Sequence, residues 1–472
     1  MNRPVSAARF ASFLAILICF GIATNLCAQP SPSAMLSPKR KEIKFTEYDL
    51  PNGLHVILHQ DNRLPVVSTF IQYRVGSKDE QPDRTGFAHF FEHLMFEGSE
   101  NILRGEINEF TLAAGGNSNA YTGYDQTCYH TTLPANQLKL ALWIESERMS
   151  GARIDSAGVE AQRRVVKEER KFRYDNQPYG SLYEELVSMI FAGTSYAWVP
   201  IGSAQYIDQA TLAEFMGFYK KFYVPNNAVL AIAGDFDSTK VKVWISDYFA
   251  AVPRGAEIVR PPLKTNVQAA SQPSSQPVQP APLQPIKIIV KPATPLPATI
   301  HAWRTVAQTE RDGYALEMLA NILAKGRSSR LYRRLVDSLQ LALEVQALPF
   351  MLEKDGLFGV FVVGNRGASL AQLDSLLTAE MQLILEKGIT DEELQKARNQ
   401  EKSSQGSSGS TMLGRAQNLA HYYAIYGNTN LINTELEDYL RVTLEDIGRV
   451  VAGYLAANRK HVMHYTVNGG GK

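Results

Sequence analysis

Two stretches of the chain repeat one pattern. "VVSTFIQYRVG" (66–76) is rich in β-branched and aromatic residues and reads as a strand. A charged turn follows, and then "GFAHFFEHLMFEG" (86–98), a helix by its apolar spacing, closed by Gly98. "ATIHAWRTVA" (298–307) reads as another strand, and after a second charged turn comes "GYALEMLANILAKG" (313–326), a helix closed by Gly326. Strand, charged turn, Gly-aromatic-Ala triplet and apolar helix recur in the same order, so a duplicated unit is the simplest account. The chain is thereby constrained to fold as two similar halves. Where the first helix carries His89, Glu92 and His93, the second carries Leu316, Leu319 and Ala320.

A segment with no charge lies between the halves. "VQAASQPSSQPVQPAPLQP" (267–285) is mostly Pro, Gln, Ser and Ala, a linker composition that cannot build a core. It predicts domains over 43–262 and 286–470, joined by a linker over 263–285. Strand-like runs such as "NAVLAIAGDF" and "GLFGVFVVG" and helix-like runs such as "LKLALWIESERM" and "TLEDIGRVVAGYLAANR" come in groups rather than in strict alternation. That favours an α+β fold over a doubly wound one.

The first 28 residues read as a signal peptide. Arg3 and Arg9 precede the apolar "FASFLAILICFGIA", and "NLCAQP" supplies a cleavage region, with the cut expected after Ala28. The apolar run is short of the about 20 residues that a membrane span needs. The expectation is an exported protein, periplasmic or secreted, with no stable span after cleavage. Of three cysteines only Cys128 would remain, so stability rests on core burial rather than on an internal disulfide. The net charge of +1 gives no sign of a nucleic-acid partner.

The first helix carries the chemistry. Positions i and i+4 share a helical face, so His89 and His93 stack one turn apart and can reach one ion, with Glu92 beside them. Catalytic zinc usually takes three protein ligands and keeps a position for water, so a third ligand must come from elsewhere. Without such a partner, three ionisable groups on the face of an otherwise apolar helix would be costly. "VEAQRRVVKEERKFRYDNQPYG" reads as a charged helix, and spacing alone does not choose among Glu160, Glu168 and Glu169. "GGNSNAYT" reads as a turn at Gly115–Gly116 followed by a short strand over 119–122.

H-x-x-E-H at 89–93, with "GGNSNAYTGYDQT" and "RRVVKEERKFRYDNQPYG", resembles the insulinase/pitrilysin family of zinc peptidases, the inverzincins, and within it the shorter, processing-peptidase-like branch. The resemblance covers nearly all of the mature chain. It implies two similar domains, each a mainly antiparallel sheet packed against helices, facing each other as a clamshell. It implies one zinc ion per chain held by His89, His93 and Glu169, the last being the glutamate 76 residues after His93 in the "VVKEE" stretch. Glu92 is then the base that activates a zinc-bound water for hydrolysis of peptides or unfolded segments. Asn119 and Ala120 fall on the strand whose edge pairs with an extended substrate in the family. An acidic residue often found seven positions before the third ligand is here Gln162, which can hydrogen-bond to support the site but brings no charge.

The second half departs from the pattern. Single-chain relatives carry an Arg and a Tyr, seven apart, after an "SRL" segment; the matching places here are Val336 and Leu343, with Arg333 and Arg334 out of register. A metal-free homologous subunit supplying the pair, as in family heterodimers, is the favoured reading, ahead of a chain working weakly alone, on different substrates or as a homodimer. The competing class is a non-catalytic zinc-binding or assembly subunit of a heteromeric peptidase. "NQEKSSQGSSGSTM" (399–412) reads as a flexible loop or frayed helix; without a Lys in P-loop position it is not read as a phosphate site.

Overall fold

Eleven strands form two sheets in a computed structural model that describes residues 42–260, 287–290 and 294–466. The expected signal peptide and linker lie outside the described residues. The strands of the first half are β1 (Thr46–Asp49), β2 (His55–Gln60), β3 (Val66–Tyr73), β4 (Asn117–Thr122), β5 (Thr127–Pro134) and β6 (Ala228–Gly234). Those of the second are β7 (Lys287–Val290), β8 (Ala298–Thr305), β9 (Ala342–Met351), β10 (Gly356–Gly364) and β11 (His461–Thr466). Helices of the first half are α1 (Phe87–Leu94), α2 (Glu106–Ala113), α3 (Leu138–Gly151), α4 (Ser156–Arg170), α5 (Leu182–Ile190), α6 (Ala204–Gln209), α7 (Leu212–Phe222) and α8 (Ser238–Phe249). Those of the second are α9 (Asp312–Ala324), α10 (Leu370–Lys387), α11 (Asp391–Ser408), α12 (Met412–His421), α13 (Leu431–Arg441) and α14 (Leu444–Tyr454). Among the described residues no helix is long and apolar enough to cross a membrane.

The duplication is visible in the topology. The first sheet has the order β1-β2-β6-β3-β5-β4 and the second β7-β11-β8-β10-β9. Once β1 is set aside, the two orders superpose strand for strand. So do the orientations: β2–β6 and β7–β11 are parallel, and every other pair is antiparallel. Each half is thus a mainly antiparallel sheet packed on helices, an α+β arrangement. β4 and β9 are the corresponding edge strands.

Each sheet borrows a helix from the other half. α12 lies across β3 and β6 of the first sheet, while α5 lies against β8 and β11 of the second. Polar contacts follow the same exchange. Arg415 on α12 reaches Asp61 at 2.6 Å, and Ser181, at the start of α5, bonds the Tyr465 hydroxyl at 2.8 Å. Leu182, Leu186, Val187 and Ile190 of α5 are buried in a core that also takes in Ile300, Ala302 and Met463. Chain contacts accordingly group everything described from Lys44 onward into one compact unit.

The Ser/Gly-rich stretch at 399–412 is more regular than a loop. α11 continues to Ser408, started by a Thr390–Glu393 capping box and packed between α9 and α13. Asn321 on α9 donates to Glu401 at 2.6 Å. Tertiary packing here overrides the weak helix propensity of Ser and Gly.

Candidate metal centre

α1 begins at Gly86, whose φ of +99° suits glycine. A Cβ there would stand 2.9 Å from the Ile201 carbonyl, and Gly202 packs backbone to backbone against it. Phe87, Phe90, Phe91 and Leu94 are buried. The Phe87 and Phe90 rings lie 4.7 and 4.6 Å from the Phe215 ring on α7, centroid to centroid. Tyr129 on β5 donates its hydroxyl to the Phe91 carbonyl at 2.9 Å. Buried ionisable groups frame both ends of the helix. Glu80 accepts from the Gly86 and Ala88 N–H groups at 2.9 and 2.8 Å and from the Trp198 indole at 3.1 Å. At the far end Arg148, paired with Glu145 at 2.5 Å, donates to the Met95 carbonyl at 3.2 Å. Burial raises the Glu80 pKa to about 8 against the pull of its three donors, while the guanidinium at the C-terminus complements the helix dipole.

This framing turns His89 and His93 toward α4. His89 Nε2 and His93 Nε2 stand 3.4 and 3.2 Å from Glu169 Oε2, and among the described residues these three form the one group of His, Cys, Asp and Glu with metal-ligand spacing. Burial pushes the His89 pKa down to about 4, with His93 and Arg173 adding to the effect and Glu169 opposing it, so this imidazole is neutral at neutral pH. Burial acts against ionisation of Glu169, but His93, His89 and Arg173 outweigh it and hold the carboxyl at about 2. Arg173 binds the other oxygen, Oε1, at 3.1 Å. α4 passes directly into a π-helical turn over Lys171–Asp175, a feature frequent at functional sites.

The donor set fits a metal. His93 Nε2 and Glu169 Oε2 are buried and, among the described residues, no partner meets them with hydrogen-bond geometry. Ligand atoms about 2 Å from a tetrahedral zinc stand about 3.3 Å apart, and the observed 3.2 and 3.4 Å match that edge. Two imidazole nitrogens plus one carboxylate is a donor set of catalytic zinc.

Glu92 lies beside this trio on α1. Burial raises its pKa, Thr122 on β4 and His93 lower it, Glu169 raises it and Arg173 lowers it; the net direction is up. Asn119 and Ala120 are on β4, which pairs only with β5 and leaves its other edge open among the described strands. The Ala120 N–H donates to the Asn119 side-chain oxygen at 2.9 Å. Gln162 donates to Glu97 at 2.6 Å, just past the end of α1, and so braces α4 against α1.

The second half presents apolar groups at the matching places. Leu316, Leu319 and Ala320 on α9 are buried in its core. Val336 packs against that core and Leu343 is 55% exposed on β9. Arg334 is committed to Glu380 at 2.9 Å. Glu80, Thr122, Arg148 and Arg173 were not singled out by the sequence reading. Arg173 had a signal in its i+4 spacing from Glu169, Arg148 in its i+3 spacing from Glu145, and Thr122 in its place on the short strand; Glu80 had none.

Known proteins of similar sequence and fold point to one family. The family model for insulinase (peptidase family M16) matches residues 55–197, and the model for the peptidase M16 inactive domain matches 209–401. The chain is 28% identical to zinc protease PqqE of Helicobacter pylori over 418 residues, 87% of this chain and 90% of that one. It is 26% identical to an uncharacterized zinc protease of Mycobacterium tuberculosis over 91% of this chain and 93% of the relative. A crystal structure of a protease from Helicobacter pylori superposes with a TM-score of 0.81 at 26% identity, covering 90% of this chain and all of that one. Pitrilysin shares the clamshell fold, with a TM-score of 0.72 at 16% identity over 91% of this chain and 45% of its own. With a histidine pair in the half that matches the insulinase model and apolar residues in the half that matches the inactive-domain model, the chain belongs to the insulinase family, peptidase family M16.

Proposed function

We propose that the protein is a zinc endopeptidase acting on peptides or unfolded segments held as an extended strand. The observation that carries this reading is the convergence of His89, His93 and Glu169 at zinc spacing with Glu92 beside them. Held by His89, His93 and Glu169, zinc would supply Lewis acidity toward the scissile carbonyl and lower the pKa of water. Glu92 takes the proton at its carboxylate and passes it to the leaving amine; the burial that raises its pKa makes it a stronger base. Asn119 and Ala120 offer the open edge of β4, where a peptide would take the Ala120 N–H from the Asn119 side chain. Gln162 supports the site through Glu97 by holding the two ligand helices together.

The names of the relatives support the peptidase class, and the N-terminal segment supports export to the periplasm or beyond. Val336 and Leu343, where the family pattern has Arg and Tyr, favour a metal-free homologous subunit that completes the substrate site.

The test is zinc content together with cleavage of a quenched peptide mixture, with and without chelator. One zinc per chain and chelator-sensitive cleavage are expected. Glu92→Gln should keep the metal and lose roughly a hundred- to ten-thousandfold in turnover. Zinc without cleavage, even with candidate partner chains added, would favour a non-catalytic assembly subunit. Full activity of the purified chain alone would remove the partner from the account.

A further inference from the structure

Glu80 has no part in the proposed chemistry, yet it is buried and every hydrogen bond described for it comes from a donor. Two of these donors, Gly86 and Ala88, are backbone N–H groups at the start of α1 that have no partner within the helix. Gly86 has no side chain to cap them, so the Glu80 carboxyl serves as the cap from outside the helix.

The segment that holds Glu80 also reaches the other half of the molecule. Lys78, two residues earlier, is 6% exposed at its side chain and binds both Asp125, at 2.8 Å, and Glu353. Glu353 lies in the turn between β9 and β10, and its own N–H donates to Asp125 at 3.0 Å. Arg74 stands 3.5 Å from the Glu353 carboxylate. The Ser77 and Lys78 N–H groups bond the Gly123 and Tyr124 carbonyls, and the Trp198 indole bridges the Ser77 carbonyl and Glu80. Residues Ser77–Asp79 form a single tight helical turn, with little slack between the Lys78 contact and the Glu80 cap.

The geometry points to Glu80 as a positioning residue of the ligand helix, anchored by Glu353 of the metal-free half through Lys78. The metal-free half would then set the zinc site as well as face it. This rests on the reading of His89, His93 and Glu169 as zinc ligands.

The test uses the full mature chain and metal ions alone, with zinc affinity read by competition against a chromophoric chelator and ligand geometry by the visible spectrum of bound Co²⁺. Glu80→Gln leaves one acceptor oxygen for three donors, and roughly tenfold weaker zinc binding is expected, in line with the loss of an outer partner. Trp198→Phe and Glu353→Gln should weaken zinc in the same direction and shift the Co²⁺ bands. The Glu80→Gln/Glu353→Gln pair should fall short of the sum of the two. If Glu80→Gln does not fold, Trp198→Phe carries the same test. Wild-type affinity and spectrum in a folded Glu80→Gln or Trp198→Phe protein would overturn the positioning role. A Glu353→Gln protein that melts earlier but binds zinc unchanged would overturn the link to the second half. A wild-type chain that binds no zinc would instead overturn the zinc reading beneath.

Discussion

Glu160, Glu168 and Glu169 share one helix and meet three different fates. Glu160 pairs with Arg163 at 2.9 Å and Glu168 with Lys171 at 2.7 Å, both on the outside, while Glu169 turns to the histidines. Glu169→Gln should cost more than the roughly 10–100-fold in zinc affinity that loss of an outer partner costs. Glu160→Gln and Glu168→Gln should leave it unchanged in the same chelator competition. The phase of the helix explains why the sequence did not decide among them. Val159 and Val166 are buried and mark the inner stripe, on which Glu169 lies one turn further along. Val165 and Phe172 are apolar too, but they are 48% and 64% exposed, and they blur that stripe into a wider one that also admits Glu168. Glu80 and Arg148 were beyond reach for a different reason: both act on α1 across a turn or from another helix, and no spacing rule announces that contact.

At the scale of elements, β4 joins the site to its expected ligand. It faces α1 through Thr122, carries Ala120 at 8% exposure, and has one edge that no described strand pairs. Ala120→Pro removes an N–H that donates to the Asn119 side-chain oxygen. It should lower kcat/KM for extended peptides roughly five- to tenfold, the worth of one net hydrogen bond, chiefly through KM and with zinc content kept. An equal loss on very short substrates that do not reach Ala120 would argue against strand pairing. The strand–turn–helix repeat was legible because periodicity and turn residues are local. The exchange of α5 and α12 was not legible. An amphipathic stripe says that a helix is buried, and says nothing about which sheet covers it.

For the whole molecule, the docking of the halves is linked to pH through Glu353. Burial alone would raise its pKa, but Lys78, Arg74 and Lys354 together bring it from 4.5 down to about 2. Because the folded value lies below the unfolded one, this carboxylate stabilises the fold above about pH 4.5. That contribution is lost as pH falls toward 2. Glu353→Gln should therefore destabilise the protein by roughly 3 kcal/mol at pH 7, the cost of breaking a buried pair. The gap from wild type in chemical denaturation should narrow between pH 4.5 and 2. The exchanged helices carry a further consequence: neither half is a complete folding unit. Each sheet takes a covering helix from the other half, α12 for the first and α5 for the second, so cutting the chain between the halves would bare apolar surface on both. The arrangement is that of a helix-swapped dimer written in one polypeptide. What the half without the histidine pair gives to the other is a cover and a brace.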